Sequence, residues 1–374
     1  MTPRVRTLAI LITLAAMGAC RRSPGPARSS AGAPADASSR TSMSPAPADS
    51  HPAGSRPRVV VVVHNERQPL FNRTHALALA DSVPEIDWVI VPRESVLAVI
   101  GTADAFIGSP TPAMIRAGTR LRWVQAQSGG IDELLFPDLR DRPIVLTSAK
   151  IVKGPAMADH AMGLLLLLTR QLWRAVEARA REEWAGTYEP IELRGKTALI
   201  VGLGGAGTQV AERAFASGMR VIATDPKDIP IMRAVERVER PERLAELLPL
   251  ADVIFLTAPL TKQTFRLLGD REFGLMKPGV YLVNVARGEL VDTDALVRAL
   301  QAGRLAGAGL DVVSPEPLPP GHPLWRMKNV ILTPHIAGQS DHGPELRSQL
   351  IIENAHRFAR GLPLRNVVDK ALGY

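Results

Sequence analysis

Apolar residues recur in two rhythms along this chain. Arg58 to Val63 (RVVVVV) is a β-branched run without polar alternation, the pattern of a strand covered on both faces. Ile86–Val91, Asp104–Ile107, Arg122–Gln125 and Ile144–Thr147 follow at shorter length with helical stretches between them. That alternation predicts a small parallel sheet of four or five strands. From Pro155 to Trp184 the chain reads as one uninterrupted helix. Its Leu164–Leu168 block is apolar all round, which predicts burial, with a second subunit as one candidate cover. A second unit opens at Lys196. Thr197–Val201 (TALIV) reads as a strand, Val210–Ser217 as a helix and Arg220–Thr224 as the next strand. Further strands are predicted at Val253–Thr257, Val280–Val285, Gly307–Leu310 and Val330–Leu332, with a closing helix from Pro344 to Arg360. No repeat of fixed period is visible.

Residues 1–57 follow neither rhythm. Arg4 and Arg6 precede a 12-residue apolar run, Leu8 to Ala19, too short for the roughly 20 residues a spanning helix needs. Basic start, apolar run and small residues have the shape of a signal peptide over residues 1–20. It ends at Met17-Gly18-Ala19-Cys20, which resembles a bacterial lipoprotein lipobox, with Met17 where leucine is usual. That resemblance implies lipidation of Cys20 and a membrane tether in the cell envelope. A start at Met43 would remove the leader and leave a cytoplasmic protein, and both starts stand. Of the 37 residues 21–57, 27 are Ala, Ser, Gly or Pro and none is aromatic, so a disordered linker is expected.

Composition narrows the function. The 374 residues suggest two domains, and 46% hydrophobic residues suffice for real cores. The net charge of +8 looks basic, but residues 1–57 carry +5 of it. The nearly neutral remainder argues against nucleic-acid binding. The single cysteine, Cys20, excludes a disulfide framework and a Cys-rich zinc site, and no metal site is expected.

The chemistry begins at Gly202-Leu203-Gly204-Gly205-Ala206-Gly207, which lies between a predicted strand and helix, with Asp225 18 residues past Gly207. Gly202 permits a tight turn, Gly204 lets a pyrophosphate approach the backbone, and Gly207 lets helix and strand pack closely. The helix start supplies free N–H groups and partial positive charge. Asp225 would accept from ribose hydroxyls and repel a 2′-phosphate, so NAD is favoured over NADP, with Lys227 the one opposing charge nearby. Three later stretches end strands: Asn284–Gly288 with Arg287, Gly309–Leu318 with Asp311 and Glu316, and Thr333–Gly338 with His335. Arginine clamps a carboxylate and carbonyl bidentately, histidine moves a proton near neutral pH, and a carboxylate orients the histidine. That set suits reduction of a 2-keto acid.

These motifs together resemble those of the D-isomer-specific 2-hydroxyacid dehydrogenases, over about residues 58–374 and most densely in Leu193–Pro226 and Phe255–Gly338. The resemblance implies a two-domain α/β fold, a Rossmann NAD-binding domain (155–344) inserted into a flavodoxin-like substrate domain (58–154 and 345–374), and a homodimer. It implies that Arg287 binds the substrate's carboxylate and carbonyl, that Glu316 partners the histidine and that His335 is the acid/base. Gly205 and Ala206 would contact pyrophosphate, Asp225 the ribose and Asp311 the nicotinamide carboxamide. Ala258, Val285 and Ala286 would line the cofactor through their backbone. Gln127-Ser128-Gly129-Gly130-Ile131-Asp132 resembles the family's glycine-rich loop, whose N–H groups hold the substrate carboxylate. Two departures stand out. Asp159 replaces a usual Glu, so a helix-end contact is expected to be lost, and Ser128 adds a hydroxyl to the pocket. His64–Phe71, after the first strand, is expected to face the cleft and tune substrate choice. The partner implied is a small 2-keto or 2-hydroxy acid, of glyoxylate or hydroxypyruvate type. A dinucleotide-binding sensor on the same fold, a phosphoglycerate dehydrogenase without its regulatory domain, and an exported lipoprotein with an altered redox role are the rival readings.

Overall fold

Five short strands explain the first unit: β1 (Arg58–Val63), β2 (Asp87–Pro92), β3 (Ala105–Ile107), β4 (Trp123–Gln125) and β5 (Val145–Thr147). They pair in parallel in the order β2-β1-β3-β4-β5. The lack of polar alternation in β1 has a direct cause. Val60 and Val62 pack with Ile100, Phe106 and Ile115, while Val59 and Val61 pack with Leu79, Ile351 and Phe358. Ile351 and Phe358 belong to the closing helix (Gly343–Ala359), so the end of the chain returns to the first sheet. Buried Asn354 fastens it there, donating to the Gln125 side chain at 3.0 Å and accepting from Arg365 N at 2.7 Å. The computed structural model describes residues 56–63, 72–184, 186–230 and 232–374. The expectations for the 1–20 leader with Cys20, for Met43, for residues 21–55 and for His64–Phe71 lie outside them.

The second sheet comprises β6 (Thr197–Val201), β7 (Arg220–Thr224), β8 (Arg237–Glu239), β9 (Val253–Leu256), β10 (Val280–Asn284), β11 (Leu305–Leu310) and β12 (Val330–Leu332). All pairs are parallel, in the order β12-β11-β10-β9-β6-β7-β8. The order reverses between β6 and β9, and open α/β sheets bind ligands at such a switch point. β8 has no apolar run to reveal it. It is an edge strand flanked by Arg237 and Glu239, which pair with each other at 2.7 Å.

The long helix expected from Pro155 to Trp184 is two helices, Gly154–Thr169 and Leu172–Ala180. The break is at Gln171, in the left-handed region (φ +51°). The returning strand of chain holds it: Ile191 N donates to Thr169 O at 2.7 Å, and the Gln171 amide donates to Glu189 O. Long-range bonds thus override a locally helical sequence. The leucine block is not covered on every face either. Leu164, Leu165 and Leu168 are buried against the second sheet, but Leu166 is 37% exposed. The first of these helices packs beside Gly205–Ala216 so closely that a side chain at Gly154 would begin 2.7 Å from Gly205 O. Asp159, with its shorter side chain, still has a partner: its carboxylate accepts from Arg213 Nε at 2.6 Å.

Candidate active site

The glycine motif carries β6 into a helix that starts inside it, at Gly205, five residues earlier than the apolar pattern suggests. Gly202 has φ +93°, and a side chain there would begin 2.6 Å from Ala258 Cα. A side chain at Gly207 would overlap the Gly202 carbonyl. These contacts draw the helix N-terminus onto the ends of β6 and β9. Above Gly204, by contrast, no atom lies within 4 Å of the side-chain position, and the residue is exposed. Ala206 sits partly exposed in the same first turn. The buried Asp225 carboxylate ties the motif to the end of β7. Oδ2 accepts from Leu203 N at 2.8 Å and Oδ1 from Lys227 N at 2.9 Å. A carboxylate has about four lone-pair positions, so capacity for ribose hydroxyls is left. Ala258, Val285 and Ala286, expected to line the cofactor through their backbone, are buried at the ends of β9 and β10. An open helix N-terminus beside an acidic strand end fits a dinucleotide.

Arg287 follows β10 and reaches across to the first unit. Its Nε and Nη2 donate to the Asp132 carboxylate at 3.0–3.3 Å, and Nη1 donates to Ala286 O at 2.8 Å. Arginine has five N–H groups, so one is left on each terminal nitrogen. A side chain at Gly130 would overlap the guanidinium where it now stands, so Arg287 would have to move to admit one. Gly130 of the glycine-rich loop therefore lies against the arginine. Nothing in the local sequence around Asp132 marks it as the partner of an arginine 155 residues away.

His335 follows β12. Its Nδ1 lies 2.7 Å from Glu316 Oε1, and both side chains are exposed at the surface of the site. The histidine backbone is in the left-handed region (φ +54°), a conformation that costs on the order of 1 kcal/mol and needs support. Asp311 supplies it. Its carbonyl accepts from His335 N at 2.9 Å, while its carboxylate accepts from Thr333 Oγ1 at 2.6 Å, Ile336 N at 2.9 Å and Ala337 N at 2.8 Å. Because the Thr333 hydroxyl donates to Asp311, it must accept from His160 Nε2 at 2.8 Å, which fixes the proton on that nitrogen. Asp311, expected beside the nicotinamide, is thus also the anchor of the histidine turn. Asp311→Ala would strand three donors, the buried Ala337 N and the partly buried Ile336 N and Thr333 Oγ1, at up to about 1–3 kcal/mol each. We expect the melting temperature to fall by about 5–10 °C in a thermal unfolding scan. An unchanged value would show the turn stands without it. Among the described residues no cluster of His, Cys, Asp and Glu could hold a metal ion.

A parallel sheet with a glycine-rich switch point, and a histidine–carboxylate pair and an arginine at its strand ends, define a dinucleotide-dependent oxidoreductase. Residues 162–337 match the family model described as D-isomer specific 2-hydroxyacid dehydrogenase, NAD binding domain. The chain is 35% identical to a glyoxylate reductase of Thermococcus gammatolerans, over 75% of this chain and 87% of that protein. It is 37% identical to a D-3-phosphoglycerate dehydrogenase of Archaeoglobus fulgidus over 68% of its own length, spanning about half (49%) of that relative. The solved NADPH-dependent glyoxylate/hydroxypyruvate reductase from Sinorhizobium meliloti, in complex with NADP and sulfate, superposes with a TM-score of 0.72 at 26% identity, covering 85% of this chain and all of that one. The chain belongs to the D-isomer specific 2-hydroxyacid dehydrogenases, oxidoreductases that use NAD(P) to interconvert 2-keto and 2-hydroxy acids.

Proposed function

We propose that this protein reduces a small 2-keto acid to its D-2-hydroxy acid, with His335 as the acid that protonates the carbonyl oxygen. The observation that carries this is the 2.7 Å His335–Glu316 pair. With Nδ1–H donated to Glu316, Nε2 is the nitrogen turned to the reacting oxygen, and the carboxylate steadies the ring while it gains or loses a proton. Arg287, held by Asp132, has one N–H on each terminal nitrogen for the substrate carboxylate and carbonyl. The N–H groups of Ser128–Gly130 complete the carboxylate site. When bound, the dinucleotide supplies the hydride that goes to C2, and the proton from His335 completes the alcohol. Gly204–Ala206 would hold its pyrophosphate and Asp225 its ribose, favouring NAD over NADP because a 2′-phosphate would meet the buried carboxylate.

Glyoxylate and hydroxypyruvate, after which the similar reductases are named, are the 2-keto acids to assay first. The test is NADH absorbance with the full chain purified in detergent, against glyoxylate, hydroxypyruvate, pyruvate and longer 2-keto acids, with NADPH in parallel. Turnover favouring NADH is expected. Binding of NADH without turnover of any 2-keto acid would return the sensor reading.

Leu166, Leu172 and Val176 present apolar surface along the broken helix, and Trp184 is fully exposed beyond it. They support a homodimer through that face. The lipobox-like sequence supports a lipid tether at Cys20. Metabolic labelling with a fatty-acid probe should mark the wild type and not Cys20→Ser. An unlabelled wild type would favour the Met43 start and a cytoplasmic enzyme. No role in nucleic-acid binding is proposed.

A further inference from the structure

We propose that Lys153 makes this enzyme select 2-keto acids bearing a second anionic group, a carboxylate or phosphate at the end away from the reacting carbonyl. The proposal rests on the site reading above. Lys153 immediately precedes the helix that crosses onto the second sheet. Its stem lies between two loops of the site. Its Cδ is 3.9 Å from where a side chain at Gly129 would begin and 2.8 Å from where one at Gly338 would begin. Gly129 belongs to the carboxylate loop, and Gly338 lies three residues past His335. The lysine therefore occupies the angle between the groups that hold the substrate's first carboxylate and the group that moves the proton.

Its electrostatic surroundings are one-sided. Burial lowers its pKa, and the charges of Arg347 and Arg287 lower it further. Among the described residues no carboxylate forms an ion pair with it. The nearest acid of the loop, Asp132, is committed to Arg287. A partly desolvated ammonium repelled by two guanidiniums is held at a cost that an arriving anion would relieve. The first carboxylate of the substrate already has the loop N–H groups and Arg287. Lys153 is thus surplus for a monoanion and matched to a dianion. Lysine suits this role, because a compact charge on a flexible stem reaches carboxylate or phosphate without a fixed fork geometry.

The test compares kcat/KM of the full chain for monoanions (glyoxylate, pyruvate) and dianions (oxaloacetate, 2-ketoglutarate, 3-phosphohydroxypyruvate), in wild type, Lys153→Met and Lys153→Arg. Wild type is expected to prefer a dianion. Lys153→Met should lower the dianion-to-monoanion ratio by 10-fold or more, mostly through KM, and Lys153→Arg should restore most of it. Preference for the phosphate compound over the dicarboxylates, or the reverse, assigns the group recognised. A wild type that prefers monoanions, or a ratio unmoved in Lys153→Met, overturns the proposal while the dehydrogenase reading stands. Absence of turnover with both classes overturns both.

Discussion

Replacing His335 with asparagine is expected to lower kcat by about 1,000-fold, the middle of the range for loss of a positioned general acid. NADH binding, followed by fluorescence titration, should stay within about 3-fold of wild type. Asparagine is the informative choice. It tolerates the left-handed backbone that His335 adopts, so the turn anchored on Asp311 is kept and only the transferable proton is lost. Alanine at the same position would add backbone strain to the chemical loss. Glu316→Gln should cost less, about 10-fold, because it removes the charge beside Nδ1 and leaves an acceptor in place. A His335→Asn enzyme within 10-fold of wild type would mean that the proton comes from elsewhere, and the 2.7 Å pair would then be structural.

The second large effect is expected at Arg287. Arg287→Lys keeps the charge but cannot donate to both oxygens of Asp132 while presenting N–H groups to a substrate carboxylate and carbonyl. Two charge-assisted hydrogen bonds at about 1.5–3 kcal/mol each are at stake, so kcat/KM should fall by at least about 100-fold, again with NADH binding retained. Asp132→Asn separates orientation from binding. If Asp132 acts by holding the guanidinium, the amide should raise KM while Arg287 still reaches the substrate, and kcat should change less than in Arg287→Lys. Equal losses in kcat for the two variants would instead put the Asp132 carboxylate itself in the chemistry.

Local pattern made a great deal of this protein legible. A strand buried on both faces needs an unbroken apolar run, and β1, β6, β9 and β10 each show one. The glycine motif was readable because turn, helix start and close packing are demanded within six consecutive residues. The acid at the end of β7 was readable because one βαβ unit fixes its spacing. What local pattern could not show is of two kinds. Where a backbone choice depends on distant bonds, local pattern predicts a longer element than the one that forms, as at Gln171, where Glu189 holds the Gln171 amide and Ile191 holds Thr169 O. Where a strand is short and charged, as in β8, periodicity carries no signal.

Sequence alone therefore determined the class of fold, the presence of a dinucleotide-binding unit and the types of residue available for hydride chemistry, because each is set by contacts within a few residues or one supersecondary unit. Only the tertiary structure decided which groups meet: Asp132 with Arg287, Thr333 with His160 and Asp311, and Lys153 between Gly129 and Gly338. These pairs join segments far apart in the chain. Their geometry is set by how the two sheets and the crossing helix pack, and side-chain chemistry read along a line holds no record of that packing.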